Sequence, residues 1–389
     1  MRFAHLADCH LGGWRQPELQ QLNLESFQKA IEISIKRGVS FVLITGDLFD
    51  SAYPPIDILE EAFIQLKKQK DNKIPCFIIA GSHDYSASGK TFLSVLEKAG
   101  FCKNIFNLEE NKEVLFLNQT VYENLALYGY PGKKSGMEVQ EIRKIRLQEA
   151  PGLFKVLALH TCIQGAIGNL QIDSIKEDEL PKADYYALGH LHIDYEDGRF
   201  VYSGPTYPNN FQELEELEYG SFYIIETSPF KLEKIWLKIK DVESVDLEIS
   251  NALTATDKIL AELTKRQLKY KIILLKLSGT INQGKTSDID FKQIEAFVKD
   301  KQAYVLLKST SKLLASESQV QIEIEEMDKL EEDIIKKYAA SNPQNEKFSN
   351  LIFPLVNSLS LEKQEDETSS TFTGRLFSEL YKTLNLSLE

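Results

Sequence analysis

Short clusters of Asp, His and Gly follow successive apolar runs in the first half of the chain, and they constrain its fold more than any other feature. In chain order the clusters are Asp8-Cys9-His10, Gly46-Asp47-Leu48-Phe49-Asp50, Gly81-Ser82-His83-Asp84, His160 and Gly189-His190-Leu191-His192. In α/β folds the loops that follow strands carry the functional groups. Five of the six histidines lie in these clusters, so one shared site explains them better than five isolated structural histidines would.

The apolar runs alternate with amphipathic segments, a pattern that predicts an α/β domain. Strands are predicted at residues 2–7, 41–44, 76–80, 155–159 and 185–188, and helices around 25–37, 56–70 and 138–149. Runs this short and apolar are typical of strands buried in a sheet. Paired strands near residues 198 and 228–231 predict a second, more antiparallel sheet that closes the domain near residue 240.

Two further regions follow this domain. Helices are predicted at 256–267, 291–301 and 325–339, and strands at 271–277 and 304–308. After an acidic, Ser/Thr-rich linker at 362–370, apolar side chains form one helical stripe: Phe372, Leu376, Phe377, Leu380, Tyr381, Leu384 and Leu388. We therefore expect three parts, at residues 1–240, 241–316 and 317–389.

Charge is distributed unevenly along the chain, whose net charge is −13. Residues 317–367 hold 13 acidic against 5 basic residues, whereas residues 252–316 hold 12 basic against 6 acidic residues. An acidic total argues against nucleic acid as a partner, because phosphate binding depends on Lys and Arg. The basic region is nevertheless compatible with binding of nucleic acid, although a solvated helix face is the commoner explanation of scattered lysines.

Composition is that of an ordinary globular protein, with 43% hydrophobic and 26% charged residues. No apolar run approaches the roughly 18 residues of a membrane-spanning helix, so no membrane partner is expected. The four cysteines are scattered and never in CxxC spacing, which favours neither disulfides nor a zinc ribbon. The amino terminus lacks the long apolar stretch of a signal peptide, so a cytoplasmic location is expected.

The residue types in the clusters indicate metal chemistry. Carboxylates and neutral imidazoles are ligands suited to Mn, Fe or Zn, and with no thiolate in the set a structural zinc site is disfavoured. Asp8 and His10 alternate on an extended segment, as do His190 and His192, so each pair requires a bent strand end, which the neighbouring glycines permit. Two ions about 3.5 to 4 Å apart can bind phosphoryl oxygens and convert a water into a nucleophile. Phosphoester hydrolysis is the expected reaction.

In order and spacing, the motifs DxH, GD, G(N)HD, H and GHxH resemble those of the calcineurin-like metallophosphoesterase superfamily. The segment Gly46-Asp47-Leu48-Phe49-Asp50, the later Pro54 and the turn Tyr202-Ser203-Gly204-Pro205 resemble the SbcD/Mre11 DNA double-strand-break repair nucleases of archaeal type. The resemblance is clear over residues 1–240 and weaker beyond them. It implies a four-layer α/β/β/α sandwich with a small α+β capping domain and a helical C-terminal tail.

The resemblance also implies which residues hold metal. One manganese ion would be bound by Asp8, His10, Asp47 and His192, and the other by Asp47, His160 and His190, with Mg²⁺ or Fe as alternatives. His83 would be the catalytic residue that faces the scissile phosphodiester, where it stabilises developing charge or protonates the leaving oxygen. Asp84 would either orient His83 or serve only the turn.

Two positions depart from the family pattern. The superfamily usually has Asn, a ligand of the second metal, where this chain has Ser82, whose shorter side chain would reach the ion through water or bind it more weakly. In the repair nucleases a histidine commonly follows GDLF, and here that position is Asp50, so a second phosphate-facing imidazole is missing or replaced. We expect both changes to affect the rate of catalysis and the exonuclease component of the activity.

Outside the site, the resemblance implies macromolecular partners. The densest bases of the capping region, Lys265, Arg266, Lys269 and Lys271, are predicted to contact phosphates of DNA ends and hairpins without reading sequence. The apolar stripe would dock on an ABC/SMC-type ATPase of the Rad50/SbcC kind, although such a stripe also commonly packs on its own domain. Helices of the nuclease domain would form a homodimer, associated with the nucleoid in a prokaryote.

Two other functions remain open at this point. A phosphodiesterase acting on small substrates or cyclic nucleotides would use the same ligands, but the basic region and the apolar stripe argue against it. A scaffold that lost its metals would keep the fold, but the nearly complete ligand set argues against that. The favoured prediction is a Mn-dependent DNA endo/exonuclease that processes double-strand breaks together with an ATPase.

Overall fold

The computed structural model describes residues 1–84, 91–111, 114–133, 136–168, 172–315, 351, 354–355, 358–359, 361 and 369–384. The chain divides into two compact units, Met1–Leu314 and Ala315–Glu389. Among the described residues, no helix combines the length and apolar character needed to cross a membrane.

Strands and helices alternate along the described residues. The strands are β1 (Arg2–Leu6), β2 (Val42–Thr45), β3 (Cys76–Ile79), β4 (Lys103–Asn104), β5 (Leu108–Asn111), β6 (Val114–Leu117), β7 (Thr120–Tyr122), β8 (Leu125–Tyr130), β9 (Ile145–Leu147), β10 (Phe154–His160), β11 (Tyr185–Gly189), β12 (Asp194–Asp197), β13 (Phe200–Ser203), β14 (Gly220–Thr227), β15 (Phe230–Leu237), β16 (Val242–Glu248), β17 (Ile272–Ile281) and β18 (Val305–Ala315). The helices are α1 (Pro17–Lys36), α2 (Ile56–Asp71), α3 (Phe92–Lys98), α4 (Glu138–Ile142), α5 (Gln164–Ile167), α6 (Phe211–Leu217), α7 (Ala255–Thr264), α8 (Phe291–Asp300) and α9 (Ser369–Thr383).

Two six-stranded sheets form the body of the first unit. The first sheet has the strand order β15-β14-β1-β2-β3-β4, and the second has the order β12-β13-β11-β10-β8-β7. Strands β1, β2 and β3 are parallel to one another, as are β8, β10, β11 and β13. The carboxyl ends of these parallel strands therefore lie at one edge of each sheet, where the loops with the polar clusters begin.

Alternation along the strands creates the layers, because successive side chains point to opposite faces. Phe3 of β1 and Leu43 of β2 join Val156 of β10 in an apolar cluster between the two sheets. Leu6 of β1 faces the other way and joins Phe27 of α1. A third cluster covers the outer face of the second sheet with residues of α4 and β9. The predicted four-layer α/β/β/α arrangement is confirmed.

Helix α1 begins at Pro17, earlier than predicted. Proline is favoured in the first turn of a helix, where its missing N–H leaves no carbonyl unpaired. Leu19 and Leu22, in the added turns, are buried in a cluster with Trp14. The predicted apolar face is present as well, since Phe27 is among the buried residues of α1. Asn23, also in the added turns, donates to the carbonyl of Cys9 at 2.8 Å, so the early start joins α1 to the loop that follows β1.

The predicted helix at 138–149 is wrong in its second half. Helix α4 ends at Ile142, and β9 follows. Ile145 and Leu147 pair in parallel with Leu115 and Leu117 of β6. The charged residues around them (Arg143, Lys144, Arg146 and Glu149) resemble a helix surface in sequence, but the alternate apolar residues bury one face of a short strand.

The prediction for the later hairpins is also corrected. The hairpin at residue 198 (β12 and β13) does belong to the second sheet, which is mostly parallel. The hairpin near residues 228–231 (β14 and β15) instead extends the first sheet, where β14 pairs antiparallel with β1. Sequence spacing cannot distinguish these outcomes, because either sheet offers an edge to an amphipathic hairpin.

A three-stranded sheet, β16-β17-β18, follows with helices α7 and α8, and we call these five elements the capping module. Its own apolar cluster includes Val245 of β16 and Ile259 of α7. Ile272 and Leu274 of β17 lie in a different cluster, together with Trp14. The three-part division of the chain stays a prediction. The predicted helix at 325–339 lies outside the described residues.

One glycine determines how closely the two main sheets approach beside the polar clusters. A Cβ atom on Gly189 of β11 would lie 2.2 Å from the carbonyl oxygen of Thr45 of β2. That distance is impossible for a carbon and an oxygen in contact, and both partners are backbone of central strands. We therefore expect Gly189→Ala to lower the free energy of unfolding by about 1 to 3 kcal/mol, as overpacking does.

Urea unfolding followed by circular dichroism measures this effect. Gly374→Ala is the control, because an added Cβ there has nothing within 4 Å. This variant should leave the unfolding of the first unit unchanged. If Gly189→Ala and the natural chain were equally stable, the two sheets would have to lie farther apart at this point than the distance to Thr45 indicates.

Candidate metal centre

The predicted ligands emerge from the carboxyl ends of strands in both sheets. In chain order they are Asp8 and His10 after β1, Asp47 after β2, Ser82 and His83 after β3, His160 at the end of β10, and His190 and His192 after β11. Parallel pairing aligns these ends, so that His160 lies beside Gly189 of β11. Because the sheets face each other, the two groups of loops meet in one site.

The ligands themselves make the bends that bring their side chains inward. Positive φ values, between 41° and 106°, occur at Asp8, His10, Asp47, His190 and His192. Such a conformation costs a residue other than glycine about 1 to 3 kcal/mol. We expected the neighbouring glycines to supply the bends. Gly46 does so with a φ of 93°, but the ligand positions share the strain.

Asp47 lies at the centre of the site and is almost completely buried. Its Oδ2 is 3.1 Å from Nε2 of His160 and 3.7 Å from Nε2 of His10. Its Oδ1 accepts a hydrogen bond of 2.8 Å from the backbone N–H of His83. One carboxylate therefore connects imidazoles carried by the two sheets, which is the place of a bridging ligand.

Two overlapping groups of ligand atoms surround this carboxylate. Asp8, His10 and His192 form one group, and Asp8, Asp47 and His160 form the other; within each, the ligand atoms lie within 4.8 Å of one another. Nε2 of His10 is 2.8 Å from Nε2 of His192. Because the groups share Asp8, donors for two ions lie side by side.

His190 lies next to these groups. Its backbone N–H donates to both carboxylate oxygens of Asp8 at 3.0 Å, and its ring centroid is 5.0 Å from that of His160. Burial and the charge of His160 lower the pKa of His190 to about 4. The imidazole is therefore neutral at pH 7, the form in which histidine binds metals.

The donors present fit divalent cations. In the described part of the chain, no group makes a hydrogen bond to the buried Nε2 of His160; Oδ2 of Asp47 is close but not aligned for one. Nδ1 of His160 donates to the carbonyl of Thr45 at 2.9 Å, so Nε2 is left as the ligand atom. A buried polar atom without an aligned hydrogen bond is unfavourable, and a cation would give the neutral imidazole the partner that Asp47 does not supply. Imidazole nitrogen and carboxylate oxygen together suit Mn, Fe or Zn.

Opposite charges shift the pKa values of the metal-free site. Burial lowers the pKa of His160, but the carboxylates of Asp47 and Asp8 and the hydrogen bond to the backbone of Thr45 together outweigh burial and raise the pKa to about 10. Burial likewise opposes ionisation of Asp47, but His160 and His10 hold its pKa well below the usual range. For His192, burial also opposes protonation, but the hydrogen bond to Glu213 and the surrounding carboxylate charges together outweigh it and raise the pKa to about 9. Protons on the imidazoles therefore balance the carboxylates when no cation is bound.

His83 and Asp50 lie at the mouth of the site. The side chain of His83 is 47% exposed, and its Nδ1 is 2.9 Å from the backbone oxygen of Asp50. The Oδ1 atom of Asp50 is 3.1 Å from Nδ1 of His10 and 3.6 Å from Nδ1 of His83. Asp50 therefore contacts both a predicted ligand and the predicted catalytic imidazole.

Ser82 and Asp84 flank His83 and have different contacts. The hydroxyl of Ser82 donates to Oδ2 of Asp47 at 3.4 Å. The carboxylate of Asp84 accepts the backbone N–H groups of Leu48, Phe49 and Gly81 at 3.1 to 3.2 Å. Burial and the charge of Asp47 raise the pKa of Asp84 to about 6. Of the two roles considered for Asp84, the structural one matches these contacts, since they join the loops after β2 and β3.

Sequence reasoning missed the residues behind the ligands. Glu213 of α6 accepts a hydrogen bond of 3.0 Å from Nδ1 of His192, and Asn209 donates to Asp50 at 3.4 Å. The signal available in the sequence was the order Asn210, then Glu213 three residues later, which is typical of a helix start. Nothing in that pattern points to a histidine elsewhere in the chain.

The sixth histidine, His5, has a structural place between the sheets. Its ring nitrogens are 2.8 Å from the hydroxyl of Tyr185 and 2.9 Å from the hydroxyl of Thr45. Burial lowers its pKa to about 3. His5 is therefore a neutral core residue, in agreement with its position outside the sequence clusters.

The bases predicted to contact DNA follow α7 and are mostly paired with acids. Glu262 pairs with Lys265 and Arg266, and Glu243 pairs with Arg266 and Lys271. Lys269 instead lies over the ring of Tyr270, 4.9 Å from its centroid. Phosphate binding by three of these four bases would require exchange of an existing ion pair, and their role stays a prediction.

The apolar stripe near the C-terminus lies mainly on α9, in the second unit. Its predicted members Phe372, Leu376, Phe377, Leu380 and Tyr381 are helical, and Leu384 follows the last turn. Phe377 is 51% exposed and lies near Tyr381, with ring centroids 6.4 Å apart. Leu388 lies outside the described residues.

Comparisons with known proteins bear on the family of this chain. The family described as calcineurin-like phosphoesterase matches residues 1–194. The DNA double-strand break repair protein Mre11 of Methanocaldococcus jannaschii is 30% identical, over 64% of this chain and 67% of that protein. The protein of the same name from Sulfolobus acidocaldarius is 25% identical, over 96% of this chain and 99% of that protein. An uncharacterized metallophosphoesterase of Bacillus subtilis, YhaO, is 28% identical over 56% of each chain. On these grounds the chain belongs to the Mre11 family of DNA double-strand break repair proteins, within the calcineurin-like phosphoesterases.

Proposed function

We propose that the chain is a Mn-dependent DNA endo- and exonuclease that processes double-strand breaks. The observation that supports this most strongly is the convergence of buried carboxylates and imidazoles on the strand ends of a calcineurin-like phosphoesterase fold. The substrate class comes from the relatives named as DNA double-strand break repair proteins. The family implies a two-metal site, and manganese is the ion that we assign to it.

The ligands would divide into two sets. One ion is assigned to Asp8, His10, Asp47 and His192, and the other to Asp47, His160 and His190, with Ser82 contributing directly or through water. When bound, paired cations supply Lewis acidity and a hydroxide nucleophile. The carbonyl of Thr45 and the carboxylate of Glu213 each accept from an imidazole Nδ1, which leaves Nε2 of that ring as the ligand atom.

His83 is the residue that would act on the substrate directly. Because its Nδ1 donates to the carbonyl of Asp50, Nε2 is the nitrogen left to meet a phosphodiester. A protonated imidazole there can donate to a phosphoryl oxygen or protonate the leaving oxygen. The carboxylate of Asp50, close to the same Nδ1, restrains the ring from one side.

DNA and protein partners would use the rest of the chain. Lys265, Arg266, Lys269 and Lys271 of the capping module are assigned to phosphates of DNA ends and hairpins. The stripe on α9 is assigned to an ABC/SMC-type ATPase of the Rad50/SbcC kind, by packing of a helix in a groove. A homodimer through helices of the nuclease domain and a place at the prokaryotic nucleoid complete the proposal.

Removal of the bridging ligand tests the active site. Asp47→Ala should abolish Mn-dependent cleavage of linear and hairpin DNA, because both ligand sets lose a member. His83→Ala should still bind metal and cleave about 10² to 10⁴ times more slowly, as expected for loss of a general acid. Gel assays of the full chain, with and without the ATPase, measure both effects.

Glu149→Gln, which removes an exposed ion pair with Lys155 outside the helices, is the control and should retain full activity. Cleavage that survives Asp47→Ala would have to come from another site and would contradict the ligand assignment. Turnover of a chromogenic diester is measured alongside DNA. A preference for the small diester would contradict a nuclease function.

Metal binding should depend on pH in a defined direction. The pKa values of about 10 for His160 and about 9 for His192 exceed the ordinary 6.5. Their protons therefore stabilise the metal-free fold fully below pH 6.5, and that stabilisation is lost as the pH rises through these values. Because Mn²⁺ competes with the same protons, its stabilising effect should grow from pH 6.5 to 8.5.

The increase in Tm on addition of Mn²⁺, recorded across this pH range, checks the direction. Asp47→Ala should show a small increase at every pH, since a ligand and the cause of the His160 shift are both gone. A Tm increase in the natural chain that does not change with pH would argue that Mn²⁺ binds elsewhere.

Ser82→Asn tests the departure from the family pattern. The longer amide should place its oxygen nearer the second ion, so Mn-dependent cleavage is expected to be kept or increased. DNA cleavage at limiting Mn²⁺ measures the change. Ser82→Ala is the matched variant, because its side chain has no oxygen. A clear loss of activity in Ser82→Asn would show that the serine is itself adapted to this site.

A further inference from the structure

Helix α6 contacts both a predicted metal ligand and the capping module. Three consecutive residues make these contacts: Glu213 bonds to His192, Leu214 is fully buried, and Glu215 pairs with a lysine of β17. The helix follows the turn after β13 and precedes β14, so it links the second sheet to the first.

The carboxylate of Glu213 is held at both oxygens. Oε1 accepts from Nδ1 of His192 at 3.0 Å and from the side chain of Asn210 at 2.6 Å, and Oε2 accepts from the backbone N–H of Asn209 at 2.8 Å. The backbone N–H of Glu213 in turn donates to Oδ1 of Asn210, the N-cap of α6. Its side chain is 15% exposed. The carboxylate therefore moves with the first turn of α6.

This carboxylate determines which nitrogen of His192 faces the site. With Nδ1 donating to Glu213, Nε2 lies 2.8 Å from Nε2 of His10 and within the ligand group of Asp8. His192 also has a φ of 51°, which is strained for a residue other than glycine. A single anchored bond thus selects the tautomer and restrains the side chain of a residue whose backbone is strained.

The next two residues attach α6 to the central strand of the capping module. Leu214 shares an apolar cluster with Ile272 and Leu274 of β17. Glu215 accepts two hydrogen bonds, of 2.8 and 3.0 Å, from Lys276 of the same strand. Residues 272, 274 and 276 alternate along β17, so one face of that strand holds the helix.

We propose that Glu213 is a positioning residue that orients His192 for metal binding, and that α6 couples this orientation to the position of the capping module. The inference rests on the proposed function, because it takes His192 as a metal ligand. A shift of β17 would move α6 through Leu214 and Glu215, and Glu213 would carry that shift to the imidazole. Contact of the module with DNA could then change the affinity of the site for metal.

Metal affinity of the full chain, measured with Mn²⁺ alone, tests the positioning role. Glu213→Ala should weaken Mn²⁺ binding by about 10- to 100-fold, the effect typical of losing a carboxylate behind a ligating histidine. Glu213→Gln keeps an oxygen that can accept from Nδ1, so it should lose less. Glu216→Gln, on the exposed side of the same helix, is the matched control and should bind like the natural chain. Thermal unfolding in EDTA verifies that each variant is folded.

A substitution in β17 of the capping module tests the coupling between the module and the metal site. Lys276→Met removes the partner of Glu215 and should weaken Mn²⁺ binding by about 3- to 10-fold, in the range of coupling through packed elements. In a Glu213→Ala background the same change should have no further effect, because the connection is already broken. Lys308→Met removes a different ion pair of the module, with Glu295, and should leave the affinity unchanged.

The outcomes separate the hypotheses. Equal affinity of Glu213→Ala and the natural chain would overturn the positioning role, and an effect of Lys276→Met that persists in the double variant would overturn the coupling. A chain that binds Mn²⁺ but leaves DNA intact would overturn the proposed nuclease function and leave this inference standing. A natural chain that binds no Mn²⁺ would overturn both.

Discussion

The buried carboxylate of Asp47 is the interaction on which the site depends. A buried charge is tolerated only where opposite charges and hydrogen bonds replace water. His160 supplies these from the second sheet, while His10 and the backbone N–H of His83 supply them from loops of the first. The contacts that stabilise one charge therefore also hold together the carboxyl ends of two sheets. Metal binding would exchange protons for cations as the balancing charge.

Close backbone approach is the second requirement, and it explains why glycines accompany the ligands. A Cβ atom at Gly46 would lie 2.2 Å from Nδ1 of His160, and one at Gly81 would lie 2.1 Å from Oδ1 of Asp47. Larger residues would push the carboxylate and the imidazole out of contact. Together with positive φ at the ligands, this places strain at the site, which the packed sheets on either side must offset.

Much of the fold and the site could be predicted because the signals are local. Strand ends, apolar alternation and the polar residues that follow them are visible in short segments, and the four-layer arrangement agrees with them. Ile145 and Leu147 were assigned to a helix because their partner strand lies far away in sequence. Arg266 and Lys271 look like part of a free basic cluster until Glu243 of β16 is brought beside them.

The sequence by itself determined which residue types are present for chemistry and on which strand ends they lie, because side-chain identity and strand periodicity are properties of the chain. Tertiary structure alone decided which of these groups touch. The bond between Glu213 and His192 and the contacts of Asp84 with Leu48 and Phe49 depend on packing between segments that are distant in the chain. Hydrogen bonds and charge interactions act over a few ångströms, and only the assembled sheets set those distances.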